Sequence, residues 1–181
     1  MSGNHILKET FDWVIHIVLA ILIGLFIVTF VAQRTIVDGN SMLPTLHHGD
    51  QLIVEKISPK LGKLKNGDIV TVYIPEYLEK GKDYVVKRII AMENDTVEIV
   101  NGKIFVNGEE LEEEYINGSD TQEVNPEYSK LTIPEDCVYI LGDNRFPHAS
   151  LDSRSIGPVE KRKITGKVVV RYYPFNKAGG I

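Results

Sequence analysis

Thr96-Val97-Glu98-Ile99-Val100-Asn101-Gly102-Lys103-Ile104-Phe105-Val106 sets the character of this chain, because two short runs with strand character meet at an Asn-Gly pair. Asn-Gly between such runs is the strongest short-range hairpin signal, since both central residues of the favoured two-residue turn need positive φ. A hairpin over 96–106 is therefore expected, ended by a second Asn-Gly at 107–108. Outward from it, Gln51–Glu55, Ile69–Tyr73, Tyr84–Met92, Val138–Leu141 and Lys167–Tyr173 also read as short strands between turn signals. After Thr35 no helical period exceeds about two turns. The expected fold is mostly β, an antiparallel sheet body. From Glu109 to Glu135 the chain turns acidic, with Glu112, Glu113 and Glu114 in a row, and reads as a solvated excursion. Hairpin and excursion together occupy about 94–135.

The N-terminal end is different. Trp13 to Ala32, WVIHIVLAILIGLFIVTFVA, is an almost unbroken apolar run of the length that spans a bilayer core as a helix. A cleaved secretory leader has an apolar region of roughly 7–15 residues ending at small side chains, and Phe30 stands where one of those is needed. The run is expected to be a retained transmembrane helix, preceded by a short cytoplasmic segment over 1–12 and followed by one extracytoplasmic domain over 33–181. His16 and Trp13 fall at the entry end, where amphipathic rings reach the headgroups, so His16 is given no catalytic role. Lys8 before the run and Arg34 after it are balanced by Glu9 and Asp12, and basic residues lean only slightly towards a cytoplasmic N-terminus.

Lys plus Arg number 20 against 25 Asp plus Glu, a net charge of −5 that lies entirely beyond the first 34 residues. Such a body has no footprint for a phosphate backbone, so nucleic acid is not an expected partner. Nor does it carry a polybasic stretch for lipid headgroups. Cys137, the single cysteine, excludes an intramolecular disulfide and a cysteine-based zinc cluster.

Three segments carry residues whose chemistry needs explaining. In Val37-Asp38-Gly39-Asn40-Ser41-Met42-Leu43-Pro44-Thr45-Leu46, a glycine-containing turn exposes Ser41 and leaves N–H groups free for a developing oxyanion. Leu43 stands where the α/β-hydrolase elbow has its second glycine, and on this segment alone Ser41 reads first as an ordinary turn serine. In Tyr84-Val85-Val86-Lys87-Arg88-Ile89-Ile90-Ala91, strand alternation puts Lys87 on one face with Val85, Ile89 and Ala91. A lysine desolvated there loses basicity and can serve as a neutral base, while the plainer reading is a lysine snorkelling to solvent. In the segment from Gly142 to Gly157, Asp143 with Arg145 and Asp152 with Arg154 are expected to pair and fix a loop, an arrangement equally compatible with a structural role.

Taken together, the anchor and the G-N-S-M-L-P-T-L, V-K-R-I-I-A and G-D-N-R…S-x-D-S-R-x-x-G stretches resemble bacterial type I signal peptidase. That family comprises membrane-anchored serine proteases with a Ser-Lys dyad, and the likeness is to its short Gram-positive form. The resemblance implies endoproteolytic removal of signal peptides after small, Ala-x-Ala-like residues, without cofactor or metal. Ser41 would be the nucleophile, Lys87 the general base, and Ser150 the hydroxyl that holds the lysine amine. Asp143, Arg145, Asp152 and Arg154 would form the supporting loop. Signal peptides of exported preproteins and membrane lipid are the implied partners. The substrate would add as a strand between the segments before Ser41 and before Lys87, with Val37, Met42, Leu46, Val85 and Val86 lining shallow pockets.

Two features depart from the family pattern. Gly39 stands where the best-known members have a hydroxyl for the oxyanion, which leaves backbone N–H groups, chiefly that of Ser41. Four residues, Phe146, Pro147, His148 and Ala149, separate Arg145 from Ser150 where the family has two, so Ser153 competes for the role of Ser150. Other classes fit less well. A histidine triad using His47, His48 or His148 lacks an identifiable orienting acid, and these imidazoles read as surface groups. His148 with Asp143 and Asp152 has the composition of a metal site, but carboxylates facing arginines are poor ligands. Self-cleaving repressors share the Ser-Lys chemistry but carry a DNA-binding segment where this chain has its apolar run. A catalytically dead tethered module would be expected to have lost Ser41 or Lys87.

Overall fold

The computed structural model describes residues 3–118 and 120–181, with side chains from residue 8 onward. Met1 and Ser2, at the start of the expected 1–12 segment, lie outside the described residues, as does Ser119 within the excursion. A long helix α1 (Gly3–Phe26) opens the chain and continues as a wider helical turn over Ile27–Val31. Strands β1 (Ala32–Ile36), β2 (Gln51–Glu55), β3 (Ile69–Tyr73), β4 (Tyr84–Ala91), β5 (Thr96–Val100) and β6 (Lys103–Val106) follow, with the one-turn helix α2 (Ile57–Lys60) between β2 and β3. After them come β7 (Glu109–Glu110), β8 (Lys130–Thr132), β9 (Cys137–Leu141), a short helix α3 (Ser153–Ile156), β10 (Val159–Glu160), β11 (Ile164–Tyr173) and β12 (Gly179–Gly180).

Two antiparallel sheets result. The larger runs β1-β2-β11-β3-β4-β9-β10, with β12 beside β11, and the smaller runs β7-β6-β5-β8. The chain is mostly antiparallel β with one N-terminal apolar helix. Lys8–Val31 is long and apolar enough to cross a membrane, and none of its most apolar window is buried among the described residues. An apolar helix surface left exposed by its own chain is stable in lipid or against another apolar surface.

The 96–106 hairpin forms in the expected register, Val97 opposite Val106 and Val100 opposite Lys103, with Asn101 and Gly102 both at positive φ. Asn107-Gly108 does not end it. That pair makes a second turn of the same kind, and β7 continues the sheet. Strand β1 was not anticipated, because Gln33, Arg34 and Thr35 lack an apolar alternation; it exists as the edge partner of β2.

Three apolar clusters hold the body together. Val70, Val72, Ile89, Val138 and Ile140 centre the first, which fills one face of the main sheet. Ile90, Ala91, Val97, Ile99, Ile104, Tyr139 and Leu141 form the second, which joins the two sheets. The third gathers Val37, Met42, Leu46, Leu52, Val54, Ile69 and Val168 beneath the Ser41 turn. Ala91 corrects the expected alternation. The β4–β9 register shifts between Ile89 and Ala91, and the bulge turns Ala91 to the second cluster beside Ile90, away from Lys87.

Candidate active site

Lys87 lies mid-strand on β4, opposite Val70 of β3, with Val85 and Ile89 of the first apolar cluster on the same strand face. It is 2% exposed. Burial lowers its pKa to about 8, against the opposing pull of the Asp152 and Asp143 carboxylates, and the Arg154 guanidinium adds to the lowering. The Lys87 ammonium Nζ donates to Ser41 Oγ at 2.7 Å and to the Val86 carbonyl at 3.1 Å. The snorkelling alternative is thereby removed, since the amine points into the protein and onto a hydroxyl.

Ser41 sits in a turn opened by Gly39, whose φ of +105° suits glycine and few other residues. The turn is pinned from within by Leu43 N–H on Asn40 O (3.3 Å) and Leu46 N–H on Met42 O (2.9 Å). It is pinned from outside by the loop after β9. Asn144 N–H donates to Ser41 O at 3.0 Å, Asn144 Nδ2 to Asn40 O at 2.9 Å, and Thr45 Oγ1 to Asp143 Oδ2 at 2.5 Å. Gly142 is the point of closest approach, because a Cβ there would run into Ser150 Oγ and Ser41 O. Among the described residues no group accepts the Ser41 N–H. The Gly39 N–H is engaged by His48 Nδ1 at 3.2 Å, so the oxyanion contribution expected of Gly39 would require it to leave that partner.

The expected ion pairs are half right. Asp152 and Arg154 pair through two bonds of 2.9 and 2.8 Å, and burial and the arginine act in opposite directions on the carboxyl, whose pKa ends up lowered. Asp143 does not pair with Arg145. Its partner is Arg88, at 2.9 and 2.6 Å, because the register that sets Arg88 opposite Leu141 brings the guanidinium alongside the carboxylate. Arg145, wholly buried, reaches Glu113 at 2.6 and 2.5 Å, Thr121 Oγ1 at 2.7 Å and Gly142 O at 2.9 Å. The excursion is thus only partly solvated. Glu112 and Glu114 face water, but Glu113 turns inward, and Asn117 exchanges backbone bonds with Asp143 and Arg145.

Ser150 is brought to the site but does not bond to Lys87 here. Its Oγ is buried beside the Asp152 carboxylate and makes no hydrogen bond of good geometry. Ser153, its competitor, is committed elsewhere: Oγ accepts the Ile140 N–H at 2.9 Å.

A cleft of about 430 Å³ runs past the dyad, lined on one side by Ile36, Asp38, Gly39 and Asn40 and on the other by Tyr84, Val85 and Val86. Val85 and Val86 therefore lie where expected. Val37, Met42 and Leu46 do not. They are buried in the third cluster, since Ile36 takes the cleft-facing position and the turn directs the next apolar residues inward. His148 is exposed and His48 lies 3.5 Å from Asp38, while His47 has a buried, unpartnered Nδ1 and so is not the surface group expected. No histidine hydrogen-bonds to Ser41 or Lys87 among the described residues.

The sequence profile described as "Signal peptidase, peptidase S26" matches residues 10–173. The chain belongs to that family. Among its relatives, a signal peptidase I of Leptolyngbya laminosa is 37% identical over 165 residues, covering 89% of this chain and 78% of the relative. A signal peptidase I of Bacillus licheniformis is 32% identical over 177 residues, covering 94% and 92%. A solved signal peptidase I of Enterococcus faecalis V583 aligns with 58% of this chain and 96% of its own, at 31% identity and a TM-score of 0.48.

In this signal peptidase family member, sequence reasoning missed Thr45, Arg88, Glu113 and Asn144 as parts of the site's support. Arg88, next to Lys87, falls on the opposite strand face, and its stacking on Tyr115 at 3.9 Å is a contact between distant segments. Glu113 carries no local mark that separates it from its acidic neighbours.

Proposed function

We propose that the chain is a type I signal peptidase that removes N-terminal signal peptides through an acyl-enzyme on Ser41, with Lys87 as general base. The observation that carries this reading is the 2.7 Å contact between a hydroxyl and a buried lysine amine whose pKa is lowered to about 8. An amine in that range is neutral often enough at working pH to take a proton, whereas an unperturbed lysine titrates near about 10.4. Ser41 Oγ attacks the scissile carbonyl as its proton passes to Lys87 Nζ, and the tetrahedral oxyanion is held by the Ser41 N–H. Lys87 then protonates the departing amine, and, neutral again, it activates the water that releases the acyl chain. Asp143, Arg145, Asp152 and Arg154 position this pair without touching the reacting atoms, and Ser150 supplies the Lys87 amine with a hydrogen bond once substrate closes the site.

The substrate lies extended in the cleft, pairing with the chain on either side as an added strand. Val85 and Val86 line its shallow floor and restrict the residues before the cut to small side chains. Helix α1 serves as a single membrane anchor, its N-terminal end cytoplasmic and the body over 33–181 extracytoplasmic. Incubating the detergent-solubilised full chain with a preprotein and sequencing the new N-terminus tests activity and specificity together. Cleavage after an Ala-x-Ala-like sequence is expected, and an uncut preprotein would overturn the reading.

A further inference from the structure

Four cations meet where the apolar helix joins the body. Lys56, just before α2, Lys60 at its end, and Lys161 and Arg162 from the turn after β10 line a hollow of about 510 Å³ with Thr29 and Gln33. No carboxylate lines it, in a protein whose net charge is −5. Lys161 and Arg162 already have acidic partners in Glu93 and Glu160. Lys56 and Lys60 form no ion pair among the described residues. Lys56 Nζ instead donates to the carbonyls of Thr29 at 3.2 Å and Val28 at 3.4 Å, and Lys60 Nζ stands 5.7 Å from the centre of the Phe30 ring.

Both free ammonium groups are therefore held against the last turn of the Lys8–Val31 segment. The negative end of the helix dipole stabilises cations there. It is also the height at which a spanning helix emerges among lipid phosphates. No local pattern marks this patch, because Lys56 and Lys60 follow the apolar run by more than twenty positions and the other two by more than a hundred. Folding assembles from separate segments the basic patch that no single stretch carries.

We propose that this hollow binds the phosphodiester headgroup of an anionic phospholipid, with Lys56 and Lys60 as its free cations and Thr29 and Gln33 as additional polar contacts. The proposal rests on α1 being a membrane span. Tyr84 lines both this hollow and the Ser41–Lys87 cleft, so a lipid held here fixes the cleft's position relative to the bilayer surface.

The test uses the full chain in detergent, offered equal amounts of phosphatidylglycerol and phosphatidylcholine and analysed by native mass spectrometry. Phosphatidylglycerol is expected to be retained in preference. Lys56→Gln with Lys60→Gln is expected to lower that preference about thirtyfold, and Lys60→Gln alone about fivefold. The single variant matters because Lys56 also holds helix carbonyls, whereas the Lys60 ammonium bonds to no carbonyl among the described residues and stands over the Phe30 ring. Lys103→Gln with Lys130→Gln, on the distant small sheet, is expected to change nothing. Equal retention of both lipids, or an unchanged preference in Lys60→Gln, would overturn the proposal. Displacement of the lipid by soluble glycerol phosphate at matched concentration would replace it with a soluble-phosphate site. Release of the chain from membranes by alkaline carbonate would remove the spanning reading and this proposal with it.

Discussion

The two halves of the loop between Gly142 and Gly157 repeat one pattern, an acid followed two residues later by an arginine, and fold it in opposite ways. Asp152 and Arg154 close on each other because Asp152 caps the short helix α3, accepting the Arg154 N–H, and the turn brings the two side chains together. Asp143 and Arg145 follow directly from strand β9, and each is claimed by another segment, Arg88 and Thr45 for the acid, Glu113 and Thr121 for the arginine. The first half clamps the nucleophile turn to the main sheet. The second half places a carboxylate and a guanidinium beside the buried Lys87 amine, which responds to both. Equal spacing in sequence thus serves mainly position in the first half, whose Asp143 also acts on the amine, and electrostatics in the second.

The largest effects fall on the pair that both halves serve. Ser41→Ala and Lys87→Ala are each expected to abolish preprotein cleavage, and the double variant to be no worse, since the two act as one unit. Lys87→Arg is expected to fail equally, because a guanidinium cannot give up its proton at working pH. Substantial residual cleavage by any of these would separate the loop's geometry from the chemistry and leave the comparison purely structural.

The next effect is on stability and belongs to the first half alone. Glu113→Gln leaves Arg145 buried without its counter-charge, and breaking such a pair is expected to cost about 3–5 kcal/mol. Removing the exposed Glu160 partner of Arg162 is expected to leave stability nearly unchanged. Denaturant midpoints for Glu113→Gln and Glu160→Gln check the contrast. If the two were alike, Glu113 would be the solvated acid that its sequence neighbourhood suggests.

That neighbourhood shows where sequence reading succeeds and where it stops. The hairpin at Asn101-Gly102, the strand carrying Lys87, and Asp152 with Arg154 were legible, because each is decided by residues within a few positions. Ser41 and Lys87 emerged as a pair from the family resemblance, not from their own segments. Glu113 on Arg145, Arg88 on Asp143 and the burial of Val37, Met42 and Leu46 depend on which strands become neighbours, and strand order is not written in any local pattern. The bulge that turns Ala91 away from Lys87 is a register event of the same kind.

Smaller again is the effect of the two serines of the second half. If Ser150 gives the Lys87 amine one hydrogen bond during reaction, Ser150→Ala is expected to lower kcat about ten- to hundredfold, the equivalent of roughly 1–3 kcal/mol. Ser153→Ala leaves the buried Ile140 N–H without an acceptor, so its expected signature is lost stability with kcat little changed. His148→Ala is expected to be nearly neutral on both. Thermal melts beside single-turnover rates separate these cases. A kcat loss greater in Ser153→Ala than in Ser150→Ala would mean that the longer spacer had moved the supporting hydroxyl.

The smallest expected effect, a shift in pH profile, is the sharpest test of the division between the halves. Only the neutral Lys87 amine accepts the proton, so activity should rise with pH through about 8, where that amine titrates. Asp152 opposes the lowering more than Asp143 does, and each carboxylate favours the ammonium. Asp152→Asn removes that support while the Arg154 charge stays, so the midpoint is expected to move down by about one pH unit. Asp143→Asn should move it down less, and Glu113→Gln, which does not bear on the amine, should leave it in place. The midpoint is independent of how much folded enzyme each variant yields, so this measurement distinguishes a positioning effect from an electrostatic one even where stability suffers. A downward shift in Glu113→Gln as large as in Asp152→Asn would dissolve the distinction, and an upward shift in Asp152→Asn would contradict Lys87 as the titrating base.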